Sequence, residues 1–261
     1  MKNLIKNPLA GNSLQKVAVA MCVVFYLIAS VANAQPKGIW DYPGKPGLWD
    51  YPVKPGTEEW KQFKNYEEKI RACQIPEDIL SSLSTDDLTD LCLRCPLLSH
   101  IFFFNSFYIA LDKLFSNFNG IRELYKRKEA ESNLTKRYIQ TIQSLDFLDE
   151  KKSELEKGFL ILSISCLEAL LSRIEQQNNE GNKNLLQILV TGYVEKLNYQ
   201  DYFNGLGFRT NFYSRAQIIL KMNPSLVDQF PQKEKNIALS SGMVDEQTFN
   251  IINELSYQLI K

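Results

Sequence analysis

The chain has 261 residues, and its 30 Lys and Arg residues balance its 30 Asp and Glu residues, so the formal net charge is zero. A chain without a basic excess lacks the charge needed to follow a phosphate backbone, and nucleic-acid binding is therefore not predicted. The length suffices for one large domain or two small domains with a proper core.

The N-terminus has the three-part pattern of a secretory signal. Three lysines and no acid flank the start of an apolar stretch at residues 17–31, and residues 32–34 form an A-x-A cleavage site. A retained membrane anchor needs about 20 apolar residues, and a lipoprotein needs its cysteine at the end of the run, whereas Cys22 lies inside it. We predict a cleavable signal at residues 1–34 and an exported protein, periplasmic or extracellular.

A tandem repeat follows the predicted cleavage site. Residues 38–43 (GIWDYP) match residues 47–52 (GLWDYP) at a nine-residue offset, and each WDYP copy is followed by a Lys-Pro-Gly triplet. Four prolines and three glycines favour extended or turn structure and exclude a helix. We therefore predict that residues 35–56 form an extended segment without a core of its own.

The aromatic rings of this repeat are the candidate docking residues. Large amphipathic rings on a chain stiffened by proline lose little entropy on binding. Three alternatives remain open: the rings stack on sugars or enter a partner's groove, they pack on the protein's own helices, or the segment is a spacer. The four candidates are Trp40, Tyr42, Trp49 and Tyr51.

From Thr57 onward the sequence predicts helices. Thr57 is an N-cap for a helix through about Cys73, and Ser84 with Asp87 forms a capping-box pattern for a second helix. Pro96 is expected to begin a helix that runs to about Phe118. We expect Asn119 and Gly120 to end it.

The C-terminal half has the same helical spacing. Apolar positions at residues 134–145 recur every three or four residues, while residues 155–174 and 185–197 are apolar nearly all round and are predicted to be central. Further helices are predicted at residues 208–222 and from about Asp245. Altogether we expect an all-α, irregular bundle of about eight helices over residues 57–261, with no strand and no membrane span after cleavage.

The thiols give a second set of candidates. The predicted mature chain holds four cysteines, and an exported protein can oxidise them, so Cys73, Cys92 and Cys95 are disulfide candidates with the pairing left open. Cys92 and Cys95 form a C-x-x-C, but it falls at a predicted helix C-terminus, where the dipole disfavours the thiolate. Cys166 lies in a central apolar helix and is predicted to be core.

The remaining chemistry is sparse. A zinc site from Cys73, Cys92, Cys95 and His100 has a tolerable set of ligands, but Pro96 separates the thiols from the only imidazole. No G-x-S-x-G elbow or cofactor loop is present, and we predict no catalytic, cofactor-binding or metal-binding residue. Carboxylate-only catalysis is an alternative for which the sequence singles out no pair.

Three segments carry a family resemblance: residues 49–60 (WDYPVKPGTEEW), 75–98 and 111–129. They resemble secreted all-helical proteins of Bacteroidetes-type bacteria that have no known activity. The resemblance implies export, helical character and a bacterial envelope setting, and it transfers no functional residue. We expect a non-enzymatic interaction or scaffold protein that docks through the WDYP repeat to a protein or glycan partner; a glycan-binding module and a carboxylate- or thiol-dependent enzyme are the alternatives.

Overall fold

The computed structural model describes residues 45–103, 107–148, 153–176, 178–203, 206–229 and 246–261. The predicted signal and the first WDYP copy, including Trp40 and Tyr42, lie outside these ranges. Within them the chain is helical and contains no strand. The all-α prediction is therefore confirmed.

Twelve α-helices lie in the described part of the chain. In the N-terminal half they are α1 Glu58–Gln62, α2 Tyr66–Ala72, α3 Glu77–Ser82, α4 Thr85–Leu93, α5 Phe107–Asn117 and α6 Asn119–Lys126. In the C-terminal half they are α7 Ala130–Gln143, α8 Glu154–Leu171, α9 Asn179–Leu197, α10 Gln200–Phe203, α11 Leu206–Met222 and α12 Glu246–Leu259. Short 3-10 helices cover Pro96–Phe103, Leu145–Leu148 and Pro224–Gln229.

The predicted helix starts are confirmed by their caps. The Thr57 hydroxyl accepts from the Trp60 amide at 3.2 Å, and the Ser84 hydroxyl accepts from the Asp87 amide at 3.1 Å. Each bond satisfies one of the amides that the first turn of a helix leaves without a backbone partner.

The predicted count of about eight helices was wrong: the described ranges contain twelve α-helices, in part because Asn65 caps a new helix inside a predicted run. Asn65 accepts from the Glu68 amide at 3.0 Å and divides the predicted helix 57–73 into α1 and α2. The segment after Pro96 is a 3-10 helix before α5 begins. Asn119 is the first residue of α6 and does not end the preceding helix, and Asn178 caps α9.

Helices α8, α9 and α11 form the centre of the bundle, with α7 and α12 packed against them. Ten consecutive residues of α8, Leu162 to Leu171, are buried. Helix α7 is half-buried as predicted: Leu134, Tyr138 and Ile142 face the core, while Lys136 and Gln140 are exposed. One hydrophobic cluster runs from Tyr51 through all of these helices to Ile252.

None of the helices in the described ranges combines the length and the hydropathy needed to cross a bilayer.

Candidate functional site

The two Lys-Pro-Gly triplets form equivalent turns. The Leu48 amide donates to the Lys45 carbonyl at 3.1 Å, and the Thr57 amide donates to the Lys54 carbonyl at 3.2 Å. Gly47 and Gly56 have φ of 80° and 94°, the left-handed value that the third position of a type II turn requires. The two turns flank the second WDYP copy and direct it across the helices.

Tyr51 fixes this copy to the helical domain. Its side chain is 3% exposed, and its hydroxyl donates to the Leu91 carbonyl at 2.8 Å, near the end of α4. Its ring lies 6.4 Å from that of Phe118 and 5.0 Å from that of Trp49. Burial, and then the neighbouring Cys95, raise the pKa of Tyr51 well above its usual range, so the phenol remains a hydrogen-bond donor.

Asp50 connects the same copy to a buried cation. The Arg94 side chain is 3% exposed, and it is paired with Asp90 at 3.0 Å and with Asp50 at 3.4 Å. Asp50 also accepts from the Tyr51 amide at 2.8 Å and from Lys54. A buried guanidinium is stable only when carboxylates compensate its charge, so the aspartate of the repeat contributes to neutralising Arg94.

Lys45, the first residue of the described ranges, is held against α4. Its ammonium is ion-paired with Asp86 and, at 2.8 Å, with Asp87, in the first turn of that helix. We name the surface that receives the second copy the WDYP slot and define it by Leu91, Arg94, Cys95 and Phe118. Leu91 belongs to α4, Arg94 and Cys95 directly follow this helix, and Phe118 precedes α6.

Of the four predicted docking residues, the structure describes two. Tyr51 is buried in the WDYP slot, and Trp49 packs half-buried against the core. Both rings of the second copy thus contact the chain's own helices. Trp40 and Tyr42 lie outside the described residues.

The thiols gather beneath the WDYP slot. Cys73, Cys92, Cys95 and Cys166 are buried and unpaired here. The interaction with the neighbouring Cys95, and then burial, raise the pKa of Cys73. Burial likewise raises the pKa of Cys92 and of Cys166. Since α4 ends at Leu93, the C-x-x-C does lie at a helix C-terminus.

His100 lies among aromatic rings. Its ring centroid is 5.9 Å from that of Trp60 and 5.3 Å from that of Tyr66. Burial, and then Lys69, lower the pKa of His100 to about 4, so the imidazole is neutral at physiological pH. Across the described ranges, no group of three or more His, Cys, Asp or Glu side chains is placed to hold a metal ion.

A second polar cluster, which the sequence did not predict, lies in the centre of the bundle. Glu168 on α8 is fully buried, and its Oε1 accepts from Tyr138 at 2.8 Å, Lys196 at 2.5 Å and Asn211 at 2.9 Å. Burial lowers the pKa of Lys196 and raises that of Tyr138. We name Tyr138, Glu168, Lys196, Asn211 and Arg215 the buried network.

Arg215 extends the buried network to the last helix. Its Nε donates to Asn211 at 2.9 Å, its Nη1 donates to Ser256 on α12 at 3.2 Å, and its guanidinium lies 4.6 Å from the ring centroid of Tyr193. The network thus joins α7, α8, α9, α11 and α12. Glu168 is paired with Lys196 and linked through Asn211 to Arg215, and all four side chains are buried, an arrangement suited to fixing helix positions.

A groove of about 540 Å³ opens above this network, between α7 and α9. The Tyr138 ring forms part of its wall, while the hydroxyl reaches past Gly192 to Glu168. Its other lining residues are mainly apolar, with Asp146 and Glu195 as acids.

One signal in the sequence could have located the buried network. Glu168 is the only charged residue in the apolar run from Phe159 to Leu171, and a carboxylate there needs a buried cation. The sequence alone does not show which cation this is, because Lys196 and Arg215 come from helices that meet α8 only in the folded chain.

Comparison with known proteins adds no relative: no family model, no curated protein and no solved structure matches this chain. The resemblance to secreted helical proteins therefore remains a prediction from the sequence.

Proposed function

We propose that this chain is a non-enzymatic extracytoplasmic interaction protein whose two WDYP copies have separate tasks. The second copy anchors the N-terminal segment on the helical domain. The first copy docks to a partner.

The anchoring of the second copy supports this division. Tyr51, Asp50 and the two Lys-Pro-Gly turns are all engaged by the chain itself, and Tyr51 fills the WDYP slot. The first copy has the same Trp-Asp-Tyr-Pro order in Trp40, Asp41, Tyr42 and Pro43. Because Tyr51 already fills the slot, the proposal assigns the first copy to a partner, and a short tether to the anchored second copy lowers the entropy lost on binding.

The contacts of the second copy also describe the partner. Tyr51 uses a carbonyl near a helix C-terminus, Asp50 uses an arginine, and the rings use apolar helix surface. A surface with the same three groups, on a helical protein of the envelope, would accept the first copy. The partner proposed is thus a protein.

A glycan-binding module remains the alternative, because paired Trp and Tyr rings also stack on sugars. An enzyme has less support. Of the carboxylates in the described ranges, only Glu168 is fully buried, and it is paired with Lys196.

Two matched double variants test the proposal. Trp40→Ala with Tyr42→Ala alters the first copy, and Trp49→Ala with Tyr51→Ala alters the second. We expect the first variant to keep the wild-type melting temperature and to lose an envelope protein that wild type captures at stoichiometric ratio. The second should melt at a lower temperature.

Equal capture by wild type and the Trp40, Tyr42 variant would refute docking by the first copy. Retarded migration in carbohydrate gels, abolished by the same variant, would instead favour the glycan-binding alternative. A lower melting temperature for the first-copy variant would show that this copy also packs on its own chain.

A further inference from the structure

The WDYP slot contacts groups that both copies of the repeat possess. The Tyr51 hydroxyl donates to the Leu91 carbonyl at 2.8 Å, and Asp50 is paired with Arg94 at 3.4 Å. Trp49 packs half-buried against the core beside them. Each of these three side chains has an identical equivalent nine positions earlier, in Trp40, Asp41 and Tyr42.

The turn by which the chain leaves the slot is repeated as well. The Lys54 carbonyl accepts a backbone hydrogen bond at 3.2 Å in the turn after the second copy, and the Lys45 carbonyl accepts one at 3.1 Å in the turn after the first copy. Gly56 and Gly47 have positive φ values of 94° and 80°. The backbone that follows the first copy therefore has the same conformation as the backbone that leaves the slot.

Three differences favour the second copy in the intact chain. Lys45, which precedes this copy, is ion-paired with two acids in the first turn of α4, and the residue nine positions before it is Pro36. Val53 packs against the core, and its equivalent is Gly44. The first copy would also need a connection to α1 that is nine residues longer, although the cost of closing a loop rises only slowly with its length.

We propose that the WDYP slot is a recognition site for the repeat unit and that the first copy, residues 38–46, is its second ligand. When the second copy leaves the slot or loses its rings, the chain shifts by nine residues. Trp40, Asp41 and Tyr42 then take the places of their equivalents, and the second copy becomes the one outside the slot. This exchange goes beyond the docking proposed above, and no partner is needed to test it.

Melting temperatures of four full-length chains test the exchange. They are wild type, Trp40→Ala with Tyr42→Ala, Trp49→Ala with Tyr51→Ala, and the quadruple variant. Both rings of the second copy are removed so that the loss exceeds the cost of the longer connection. The first-copy changes should leave wild type within about 1 °C but lower the melting temperature of the second-copy variant by about 3 °C or more.

The comparison has a defined failure. If the first-copy changes shift the melting temperature equally in both backgrounds, the first copy does not enter the slot and the proposal is wrong. A quadruple variant that does not fold, where the second-copy variant folds, gives the expected loss in its largest form. If the second-copy variant itself does not fold, the same comparison is made with Tyr42→Ala, Tyr51→Ala and the two together.

A synthetic peptide of residues 38–47 tests recognition by the slot directly. It should raise the melting temperature of the quadruple variant as its concentration increases and leave wild type, whose slot is filled, unchanged. The variant with Tyr42→Ala and Tyr51→Ala is the recipient if the quadruple variant does not fold. The same peptide with Trp40→Ala and Tyr42→Ala is the control. No shift with the first peptide, or equal shifts with both, would overturn the proposal.

Discussion

The WDYP slot and the buried network both place charged groups against the same hydrophobic core, but they differ in access to water. In the slot each ion pair has a partly exposed member: Asp50 is 47% exposed and Asp86 is 48% exposed. In the buried network Lys196 and Glu168 are both 0% exposed. When the second WDYP copy leaves the slot, water can therefore solvate the charged groups of both. Opening the buried network, in contrast, would leave a charge in the core without its partner.

This difference separates a reversible contact from a fixed one. Exposed ion pairs contribute about 0–1 kcal/mol, and removal of one member of a buried pair costs about 3–5 kcal/mol. We conclude that Tyr51 supplies most of the affinity between the second WDYP copy and the slot. The ion pairs of the slot fix the position of this copy along the helices. The network determines how α8, α9 and α11 are placed.

The largest effect is expected at Glu168. Glu168→Ala leaves Lys196, Tyr138 and Asn211 without their shared acceptor and should lower the free energy of unfolding by about 3–5 kcal/mol, measured by urea denaturation. Lys61→Ala, which removes an exposed pair with Glu58, is the control and should change it by less than about 0.5 kcal/mol. If both variants lowered the free energy of unfolding by the same small amount, the buried network would stabilise the fold no more than an exposed ion pair does.

Tyr51 is next in size. Tyr51→Ala removes a buried ring and should cost about 3 kcal/mol, whereas Tyr51→Phe removes only the bond to the Leu91 carbonyl and should cost about 1 kcal/mol. Urea denaturation of both variants gives the comparison. A loss from Tyr51→Phe as large as that from Tyr51→Ala would assign the affinity to the hydroxyl and not to the ring.

Gly192 tests how tightly the buried network is built. A Cβ there would lie 2.7 Å from Cζ of Tyr138, whose hydroxyl is bound to Glu168. Gly192→Ala should therefore cost about 1–3 kcal/mol. Gly158→Ala, in α8 with nothing within 4 Å of its Cβ, should stabilise by about 0.5–1 kcal/mol. If both variants stabilise, Tyr138 is free to move.

The smallest effect is expected at Lys45, and it depends on pH. Hydrogen bonding to Lys45 lowers the pKa of Asp87 below its ordinary 3.8, so the folded chain gains stability above that value and loses it as the pH falls through the lowered pKa. Lys45→Met should cost less than about 1 kcal/mol at pH 7. Thermal melts at pH 7 and at pH values below 3.8 should show this difference becoming smaller as the pH falls.

A difference between wild type and Lys45→Met that grows in acid would contradict the assignment of this pair. Arg137→Met, which removes the other cation near Asp86, is the matched control and should follow the same trend.

Much of the secondary structure followed from local rules. The caps at Thr57 and Ser84 were predictable because a side-chain oxygen reaches an amide only three residues away. The division at Asn65 was missed because Tyr66 and Ile70 continue the apolar spacing across it. The half-buried face of α7 was predicted because helical spacing alone decides which residues share a face.

The candidate sites depended more on the fold. The sequence identified the WDYP rings and the three cysteines by their types and repetition. It left the target of Tyr51 open, since Leu91 comes 40 positions later in the chain. It missed the buried network, whose members come from four helices.

By itself the sequence determined the helical class, the positions of the caps, the turns of the Lys-Pro-Gly triplets and the apolar character of α8, because each of these depends on residues within one or two turns of each other. Only the tertiary structure decided that the Tyr51 hydroxyl binds the Leu91 carbonyl and that Glu168 is paired with Lys196 and linked through Asn211 to Arg215. Those contacts depend on which helix faces are brought together when the core is buried, and no local pattern specifies that pairing.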